Sequence, residues 1–444
     1  MRARVVGRGL FVALLGGTAA LACSDLLELP PGPTADSKPI AARTLSPLPD
    51  VPPDPTNAVA DNADAAKLGQ MLFFDKRFSG PIQDDVTATA DDGALGAPKE
   101  SGRVSCASCH FGPGLDDRRS KPGNVSLGTD YGSRRALPLV NASFYTWSNW
   151  GGRFDSQWSL PLAVAEKREI MNGTRLQIVH AIYAKYKAEY EAIFPPLDPR
   201  LDPSSARAAD FPPNGKPKDI TVPASPDGPY ELMALADRNI VNTIYANYGK
   251  AIAAYLRLLV SRDSAFDKYA AGDKTAISPS AERGLTVFTG RGACIGCHNG
   301  PHFEDGDFHA LGVPQTGPHV PAEDLGRYKD VVSLIDPTNP FKSDGGIATG
   351  LMPLPSQKGQ FRTKSLRGVG LNGLYMHAGQ FARLEDVVAF YNKGGGDPAP
   401  GVVKDAKLMA LGLTPEESAD LVELLKTLTG EPVPPALTVD TSKP

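Results

Sequence analysis

Two short stretches of the chain carry residues whose types and spacing could do chemistry. Each has two cysteines separated by two residues, with a histidine directly after the second cysteine. Covalent attachment of a c-type haem requires this pattern, because the thiols add to the porphyrin vinyl groups and the histidine becomes the proximal iron ligand. A structural disulfide, a thioredoxin-like pair or half of a zinc site would leave the adjacent histidine unexplained in both copies. The sequence therefore predicts two covalently bound c-type haems, attached at Cys106, Cys109 and His110 and at Cys294, Cys297 and His298.

The overall composition is that of an ordinary soluble protein that is large enough for two domains. Of its 444 residues, 41% are apolar and 22% are charged. The formal net charge is −4 and there is no basic stripe, so nucleic acid is not expected as a partner. Four of the five cysteines lie in the two haem motifs, which leaves Cys23 alone and no pair for a disulfide.

The N-terminal residues indicate export. Residues 1–22 contain three arginines followed by an apolar run, which is typical of a signal peptide and too short for a stable membrane span. The run leads into Cys23 in a context that resembles the lipobox of bacterial lipoproteins, with Cys23 as the lipid-bearing residue. A plain cleaved signal followed by a stray cysteine is the alternative. We therefore expect a periplasmic protein that is anchored to the membrane through a lipid on Cys23.

Beyond the leader, the sequence predicts a tether and two haem domains of mainly α structure. Residues 23–60 are rich in Pro, Asp and Ser without a hydrophobic period, which predicts a disordered, lipoprotein-type tether. We place the N-terminal haem domain at 61–262, the C-terminal haem domain at 263–435 and a short tail at 436–444. Hydrophobic spacing and capping signals predict helices over 61–75, 174–194, 235–269, from Pro279 onward, 384–392 and 415–428.

An internal echo indicates a duplicated plan. The run Leu68-Gly-Gln-Met-Leu-Phe-Phe precedes the first haem motif, and Arg283-Gly-Leu-Thr-Val-Phe precedes the second. Each haem domain is therefore expected to open with a helix that leads into the attachment loop.

The chain resembles the bacterial di-haem cytochrome c peroxidase family, which includes the MauG-type enzymes. The resemblance extends over roughly 61–432 and implies two cytochrome c-like domains, each with one covalent haem. It also implies that the N-terminal haem handles peroxide and that the second haem takes in or stores electrons. The matching segments are 68–80, 141–144, 150–153, 300–303, 308–309, 361–367, 375–379 and 384–391.

The resemblance implies that the first haem has an open coordination position. Family members that need reductive activation carry a histidine at the end of a Ser-Ile-Gly-His run, whereas this chain has Thr129 in the run Ser126-Leu-Gly-Thr129. Residues 111–170 contain no histidine, and His180 is the one nearby candidate for a distal ligand. A helix-face histidine is more often a packed or surface residue, so we expect a five-coordinate haem that peroxide can reach.

At the second haem the resemblance implies a tyrosine ligand. Counting 14 residues from His377 gives Tyr391, where reductively activated members carry Met and MauG-type enzymes carry Tyr. A phenolate ligand stabilises ferric and higher states more than a thioether does. A core tyrosine on an amphipathic helix is the alternative for Tyr391, and Met376 offers a thioether inside the loop.

Peroxide cleavage in the family uses a distal carboxylate that moves a proton between the two oxygens. A gapless count from Trp150 puts Ile170 at the expected position, one residue from Glu169. We predict Glu169 as this catalytic group, with Glu166 the lesser candidate and a solvated helix-start acid the alternative role.

The resemblance also implies a tryptophan between the haems and a calcium ion. Trp150 matches the tryptophan through which the haems communicate, although core packing is an alternative and Trp147 and Trp158 compete for the role. A calcium ligand position of the family is occupied by Ala136, which has no ligating side chain, with Asn372 at a neighbouring ligand position. Calcium is therefore a doubtful cofactor.

Three functions compete for this sequence. A periplasmic peroxidase would reduce hydrogen peroxide to water at the first haem, with electrons arriving through the second from a cytochrome c or cupredoxin. A MauG-like enzyme would instead oxidise aromatic side chains of a partner protein. A pure electron carrier would need six-coordinate haems, which the absence of a distal histidine disfavours.

Overall fold

The computed structural model describes residues 45–86, 88–89, 92–218, 226–334, 341 and 347–444. The predicted signal peptide and Cys23 lie outside these residues. The described part is mainly α, as predicted, and none of its helices is long and apolar enough to span a bilayer. Its helices are α1 (Ala63–Phe74), α2 (Cys106–Cys109), α3 (Ser159–Glu166), α4 (Arg175–Glu191), α5 (Leu235–Leu256), α6 (Ala265–Ala270), α7 (Pro279–Thr289), α8 (Arg327–Leu334), α9 (Leu384–Asn392) and α10 (Pro415–Thr427). Two short antiparallel strands, β1 (Phe308–His309) and β2 (Phe361–Arg362), pair Phe308 with Arg362.

The helix starts follow from capping residues that the sequence displays. The Ser278 side chain accepts the amide of Ala281, and Pro279 occupies the first turn of α7. Thr414 and Glu417 form the predicted capping box of α10. These local hydrogen bonds explain why α7 and α10 begin where the sequence predicted.

A glycine in each half allows two helices to cross closely. Gly69 on α1 packs against the Ala251 carbonyl of α5 so tightly that a Cβ atom would not fit. Gly284 on α7 packs in the same way against the Asp420 carbonyl of α10. Both glycines belong to the repeated run that precedes a haem motif, so the internal echo reflects a repeated helix crossing.

The buried apolar residues form two main clusters, although all described residues belong to one compact unit. The larger cluster runs from Leu68 to Leu259 and is joined by Phe341 and Val433. The smaller one runs from Phe266 to Leu428. The change from one cluster to the other falls near the predicted boundary at 262, and the two-domain organisation stays a prediction.

Two connecting regions differ from the sequence expectation. The long helix predicted over 235–269 ends at Leu256. A separate helix, α6, then begins at the capping box formed by Ser264 and Asp267. Between the second haem motif and β2 the chain forms α8, where the sequence predicted no helix.

The segments predicted as a tether and a tail both pack on the body. In the described part of the tether, the Leu48 carbonyl accepts a hydrogen bond from Arg262 and Asn57 donates to the Lys250 carbonyl. The prediction of disorder over 23–60 is therefore wrong for residues 45–60. The 436–444 tail returns to the N-terminal half, where Lys443 forms a 2.6 Å ion pair with Glu189.

Candidate haem centres

The first attachment loop holds its histidine in the orientation that an iron ligand needs. Cys106–Cys109 form one helical turn, and His110 follows as its C-cap. His110 Nδ1 lies 3.1 Å from the carbonyl oxygen of Leu115, so this nitrogen donates and Nε2 is left for a metal. Burial lowers the pKa of His110, which favours the neutral imidazole that coordination requires.

The second attachment loop repeats this arrangement. His298 Nδ1 lies 3.1 Å from the carbonyl oxygen of Phe303, which is five residues further on, as Leu115 is from His110. Both acceptors lie in the left-handed region, with φ of 49° for Leu115 and 52° for Phe303. Burial lowers the pKa of His298 as well. The two loops therefore present their histidines to an iron in the same way.

Three cysteines of the motifs lack the lowered thiol pKa of a redox pair or a zinc site. Burial raises the pKa of the Cys106 thiol to about 12 and that of Cys109 to about 11. Burial likewise raises the pKa of the Cys294 thiol to about 11. Thioredoxin-like and zinc-binding cysteines need a lowered thiol pKa, because the thiolate is the reactive species. Buried, protonated thiols beside a cavity fit thioether attachment better.

A cavity of about 1110 Å³ opens beside the first motif. This volume lies at or above the upper end of the roughly 300–1,000 Å³ that ligand pockets span, which suits a prosthetic group of haem size. Among the described residues, His110 is the one histidine in its wall. Apolar side chains cover much of the surface, including Phe73, Val104, Leu139, Val164, Ile170 and Ile252.

The two candidate acids on this cavity differ in their bonding. Both Glu166 and Glu169 line it. The Glu166 carboxylate is held by Arg175 through contacts of 2.9 and 2.8 Å, with Arg175 only 4% exposed. Glu169 lies in the turn after α3 and forms no side-chain hydrogen bond or ion pair within the described part of the chain, and it acts electrostatically on Lys167. The Glu169 carboxylate is therefore not engaged in an ion pair among the described residues, whereas the Glu166 carboxylate is paired with Arg175.

Thr129 turns away from the cavity and holds the segment that carries Glu169. It is fully buried, and its hydroxyl donates a 2.5 Å hydrogen bond to the Arg168 carbonyl. Its amide donates to the Ile170 carbonyl at 2.9 Å, and the Asp130 amide donates to the Glu169 carbonyl at 3.1 Å. Thr129 stands where family members that need reductive activation carry a histidine. In this chain the residue instead holds the turn that contains Glu169.

His180 does not belong to the cavity wall. Its Nε2 lies 3.1 Å from the carbonyl oxygens of Phe211 and Pro212. The structure therefore supports the packed role of this histidine rather than iron ligation.

Trp150 is the tryptophan that meets both halves of the molecule. Of the three tryptophans, it is the one in the cavity wall, and its indole donates to the Arg135 carbonyl at 2.7 Å. Its ring lies edge-on to His377, with centroids 6.3 Å apart. Trp147 instead packs on Phe308 and Arg327, and Trp158 lies in the larger apolar cluster.

Tyr391 lies on α9 beside the second attachment motif. The Cys297 and Cys294 sulfurs are close enough to act electrostatically on its hydroxyl, and burial raises the pKa of that hydroxyl. No side chain or carbonyl of the described residues hydrogen-bonds the Tyr391 hydroxyl. The alternative thioether, Met376, sits at φ 66° in the loop before α9. Tyr391 as a ligand of the second iron stays a prediction.

The region of the doubtful calcium site is occupied by guanidinium groups. Arg135 donates to the Leu374 carbonyl at 2.7 Å, and Arg118 donates to the Leu371 carbonyl. These carbonyls belong to residues one before and two after Asn372, so two backbone oxygens near Asn372 already accept hydrogen bonds. Calcium needs six to eight oxygen ligands, and this arrangement leaves few available.

Several cations around the first cavity were not identified as site residues from the sequence. Arg362 and Lys364 line the cavity from β2 and the residues after it. Two basic residues separated by one residue in an extended segment lie on the same side of the chain. This spacing is the sequence feature that could have identified them. Arg134 also lines the cavity, but it is paired with Asp324 at 2.6 Å and Asp330 at 2.7 Å.

Comparison with known proteins places this architecture in a family. The family model described as di-haem cytochrome c peroxidase matches residues 63–275. The chain is 32% identical over 400 residues to the cytochrome-c peroxidase IdrP1 of Denitromonas iodatirespirans, covering 87% of this chain and 86% of that protein. It is 28% identical over 368 residues to the methylamine utilization protein MauG of Methylorubrum extorquens, covering 82% of this chain and 78% of that protein.

A solved structure supports the same fold. The diheme peroxidase BthA from Burkholderia thailandensis matches with a TM-score of 0.58 at 20% identity, covering 89% of this chain and 92% of that one. The relatives include both peroxidases and MauG proteins, so the comparisons leave the finer activity open. The chain belongs to the di-haem cytochrome c peroxidase family and is an oxidoreductase that acts on peroxide.

Proposed function

We propose that this protein reduces hydrogen peroxide to water in the cavity beside His110. Each peroxide takes up two electrons and two protons, and two water molecules form. The observation that carries the proposal is the Glu169 carboxylate, which forms no hydrogen bond in a cavity whose wall contains no histidine besides His110 among the described residues.

The residues that hold the haems are the two Cys-x-x-Cys-His motifs. When bound, the haem at His110 supplies an iron on which peroxide can be reduced, and the haem at His298 supplies electrons. The Leu115 and Phe303 carbonyls orient the two imidazoles. Tyr391 is the proposed second protein ligand of the iron in the haem attached at His298.

Glu169 is the proposed acid–base group. It would accept the proton of the peroxide oxygen nearer His110 and return it to the departing oxygen, which is the proton movement that peroxide cleavage needs. The hydrogen bonds from Thr129 and Asp130 hold the Glu169 turn in place, and Trp150 joins the cavity to the segment around His377.

The electron donor is proposed to be a small periplasmic redox protein, either a cytochrome c or a cupredoxin. The proposed location is the periplasm, with a lipid anchor on Cys23. Both proposals rest on the sequence of residues 1–23, and a pulse label with a radioactive fatty acid in wild type and Cys23→Ser would test the anchor.

Steady-state turnover tests the proposed activity. The purified holoprotein should oxidise a reduced cytochrome c or cupredoxin in the presence of hydrogen peroxide, with two donor molecules consumed per peroxide. A protein that consumes no donor with any small redox protein tested, while still reacting with peroxide, would contradict the proposal.

The second candidate is MauG-like oxidation of aromatic residues in a partner protein. Tyr391 beside the second motif favours it, because a phenolate stabilises oxidised states of the iron. A product with an oxidised aromatic side chain on a co-purified partner, formed with peroxide and without a donor, would support this candidate over the peroxidase.

A further inference from the structure

Two basic side chains in the wall of the His110 cavity carry buried nitrogens that have no hydrogen-bond partner among the described residues. Arg362 is 4% exposed, and its Nε and Nη1 form no hydrogen bond; the buried Nζ of Lys364 forms none either. Both side chains line the cavity that contains the first attachment motif. Buried charges without a partner are strongly unfavourable, so an arrangement of this kind indicates an anion that belongs there.

The protein itself supplies too little negative charge at this point. Both cations lie over the ring of Tyr145, with Arg362 Cζ at 3.5 Å and Lys364 Nζ at 4.1 Å from its centroid. The Tyr145 hydroxyl accepts the amide of Ser365 at 3.0 Å, and burial raises its pKa to about 12, so it stays neutral. Glu304 acts electrostatically on both cations but accepts the amide of Gly306 at 2.8 Å. Burial lowers the pKa of Arg362 and of Lys364, so their charged forms need more negative charge than this one carboxylate supplies.

Two other arginines of the cavity wall are paired with aspartates. Arg134 is paired with two aspartates, and Arg135 is paired with Asp116 at 3.0 Å. Arg362 and Lys364, unlike these two arginines, form no ion pair among the described residues. A c-type haem carries two carboxylates at one edge of the ring, and it is the anion that the motif in the same cavity would bring.

We propose that Arg362 and Lys364 form the binding site for a propionate of the haem attached at His110. The two residues belong to the C-terminal half of the chain, and the backbone carbonyl of Lys364 lies close to the His298 ring. The Lys364 Nζ lies 5.8 Å from the Trp150 ring centroid. One short segment thus contacts the first haem's cavity, the tryptophan and the second haem's histidine. The inference rests on the proposed function only in that both need haem in this cavity.

The charge of this pair should set the reduction potential of the first haem. A cation beside the porphyrin edge neutralises a propionate and favours the reduced iron, which carries one positive charge less. Replacing Lys364 or Arg362 by Met should lower the ratio of reduced to oxidised haem at a fixed potential by roughly tenfold, equivalent to about 59 mV for a one-electron couple. The haem at His298 should shift less.

The experiment is spectroelectrochemical titration of both haems, combined with resonance Raman spectra of the propionate bending mode, which responds to hydrogen bonds at the haem carboxylates. Lys364→Met and Arg362→Met holoproteins are compared with wild type and with Arg383→Gln, which removes the same charge from a side chain that is 67% exposed. We expect a lowered potential and a moved propionate band in the first two variants alone. Neither measurement uses peroxide or a donor, so a failure of the proposed activity would not affect the result.

Potentials and propionate bands that match Arg383→Gln would overturn the proposal. If a methionine variant does not mature with haem, Lys364→Arg and Arg362→Lys answer the same question, because they keep the charge and change the number of donors. In these variants the propionate band should move while the potential stays near that of wild type, and an unmoved band would contradict the site. Wild-type potentials that depend on added chloride or phosphate at constant ionic strength would assign the pair to a solvent anion instead.

Discussion

The hydroxyl of Thr129 donates a 2.5 Å hydrogen bond to the carbonyl oxygen of Arg168, the residue before Glu169. Together with the bonds from the Thr129 and Asp130 amides, it ties three consecutive carbonyls to the bend that contains Thr129 and Asp130. The catalytic role proposed for Glu169 therefore depends on a residue that does not face the cavity.

Removal of this hydroxyl should loosen the Glu169 turn. Thr129→Val leaves the Arg168 carbonyl without its partner, so the free energy of unfolding should fall by about 1–3 kcal/mol. The rate of the peroxide reaction should fall as well, whereas Thr129→Ser, which keeps the donor, should stay near wild type. Stopped-flow mixing with peroxide and chemical denaturation measure the two effects. A Thr129→Val protein that is less stable but reacts at the wild-type rate would show that the bond does not position Glu169.

The two glutamates should give different phenotypes. Glu169→Gln should lower the rate of the peroxide reaction by roughly 10²–10⁴-fold with both haems retained, because the amide cannot move the proton. Glu166→Gln weakens the ion pair with Arg175 and should mainly lower stability, by about 1.5–3 kcal/mol. Peroxide kinetics and thermal unfolding of both variants provide the comparison. The reverse pattern would identify Glu166 as the acid–base group.

The first haem should be high-spin in the ferric protein. The cavity wall contains no histidine besides His110 among the described residues, and Thr129 is directed elsewhere. Low-temperature EPR of the oxidised holoprotein should therefore show one high-spin and one low-spin signal of equal intensity. Two low-spin signals would mean that another side chain closes the position.

Tyr391 should control the potential of the second haem. Burial raises the pKa of Tyr391, so its hydroxyl is protonated at neutral pH until ferric iron displaces the proton. Tyr391→Met should raise the potential of that haem, since a thioether favours the ferrous state more than a phenolate does. Redox titration of wild type, Tyr391→Met and Tyr391→Phe measures this, and an unchanged low-spin EPR signal in all three would place Tyr391 in the core.

Chelation should leave the enzyme unchanged. The carbonyls of Leu371 and Leu374 accept hydrogen bonds from Arg118 and Arg135, so the cross-link near Asn372 is made by guanidinium groups. Incubation with EDTA should change neither the haem spectra nor the rate of turnover. Loss of activity with EDTA that is restored by calcium alone would contradict this prediction.

The sequence by itself determined the haem motifs, the helical class and most helix starts. These features depend on residues that are close in the chain: the Cys-x-x-Cys-His spacing, the Thr414 and Glu417 capping box, and the hydrophobic period of α9. The family membership predicted from ordered motifs is confirmed by the comparisons.

Only the tertiary structure decided which residues of the same type are paired and which are not. Glu166 and Glu169 are the same residue type three positions apart, but Arg175 from the next helix holds only the first. The packing of residues 45–60 depended in the same way on partners distant in the chain, such as Lys250 and Arg262. The sequence did not identify Arg362 and Lys364, because the lack of a hydrogen-bond partner for a buried nitrogen depends on which residues surround it in the folded chain. Spacing predicts which atoms a segment carries, whereas burial and pairing depend on long-range contacts.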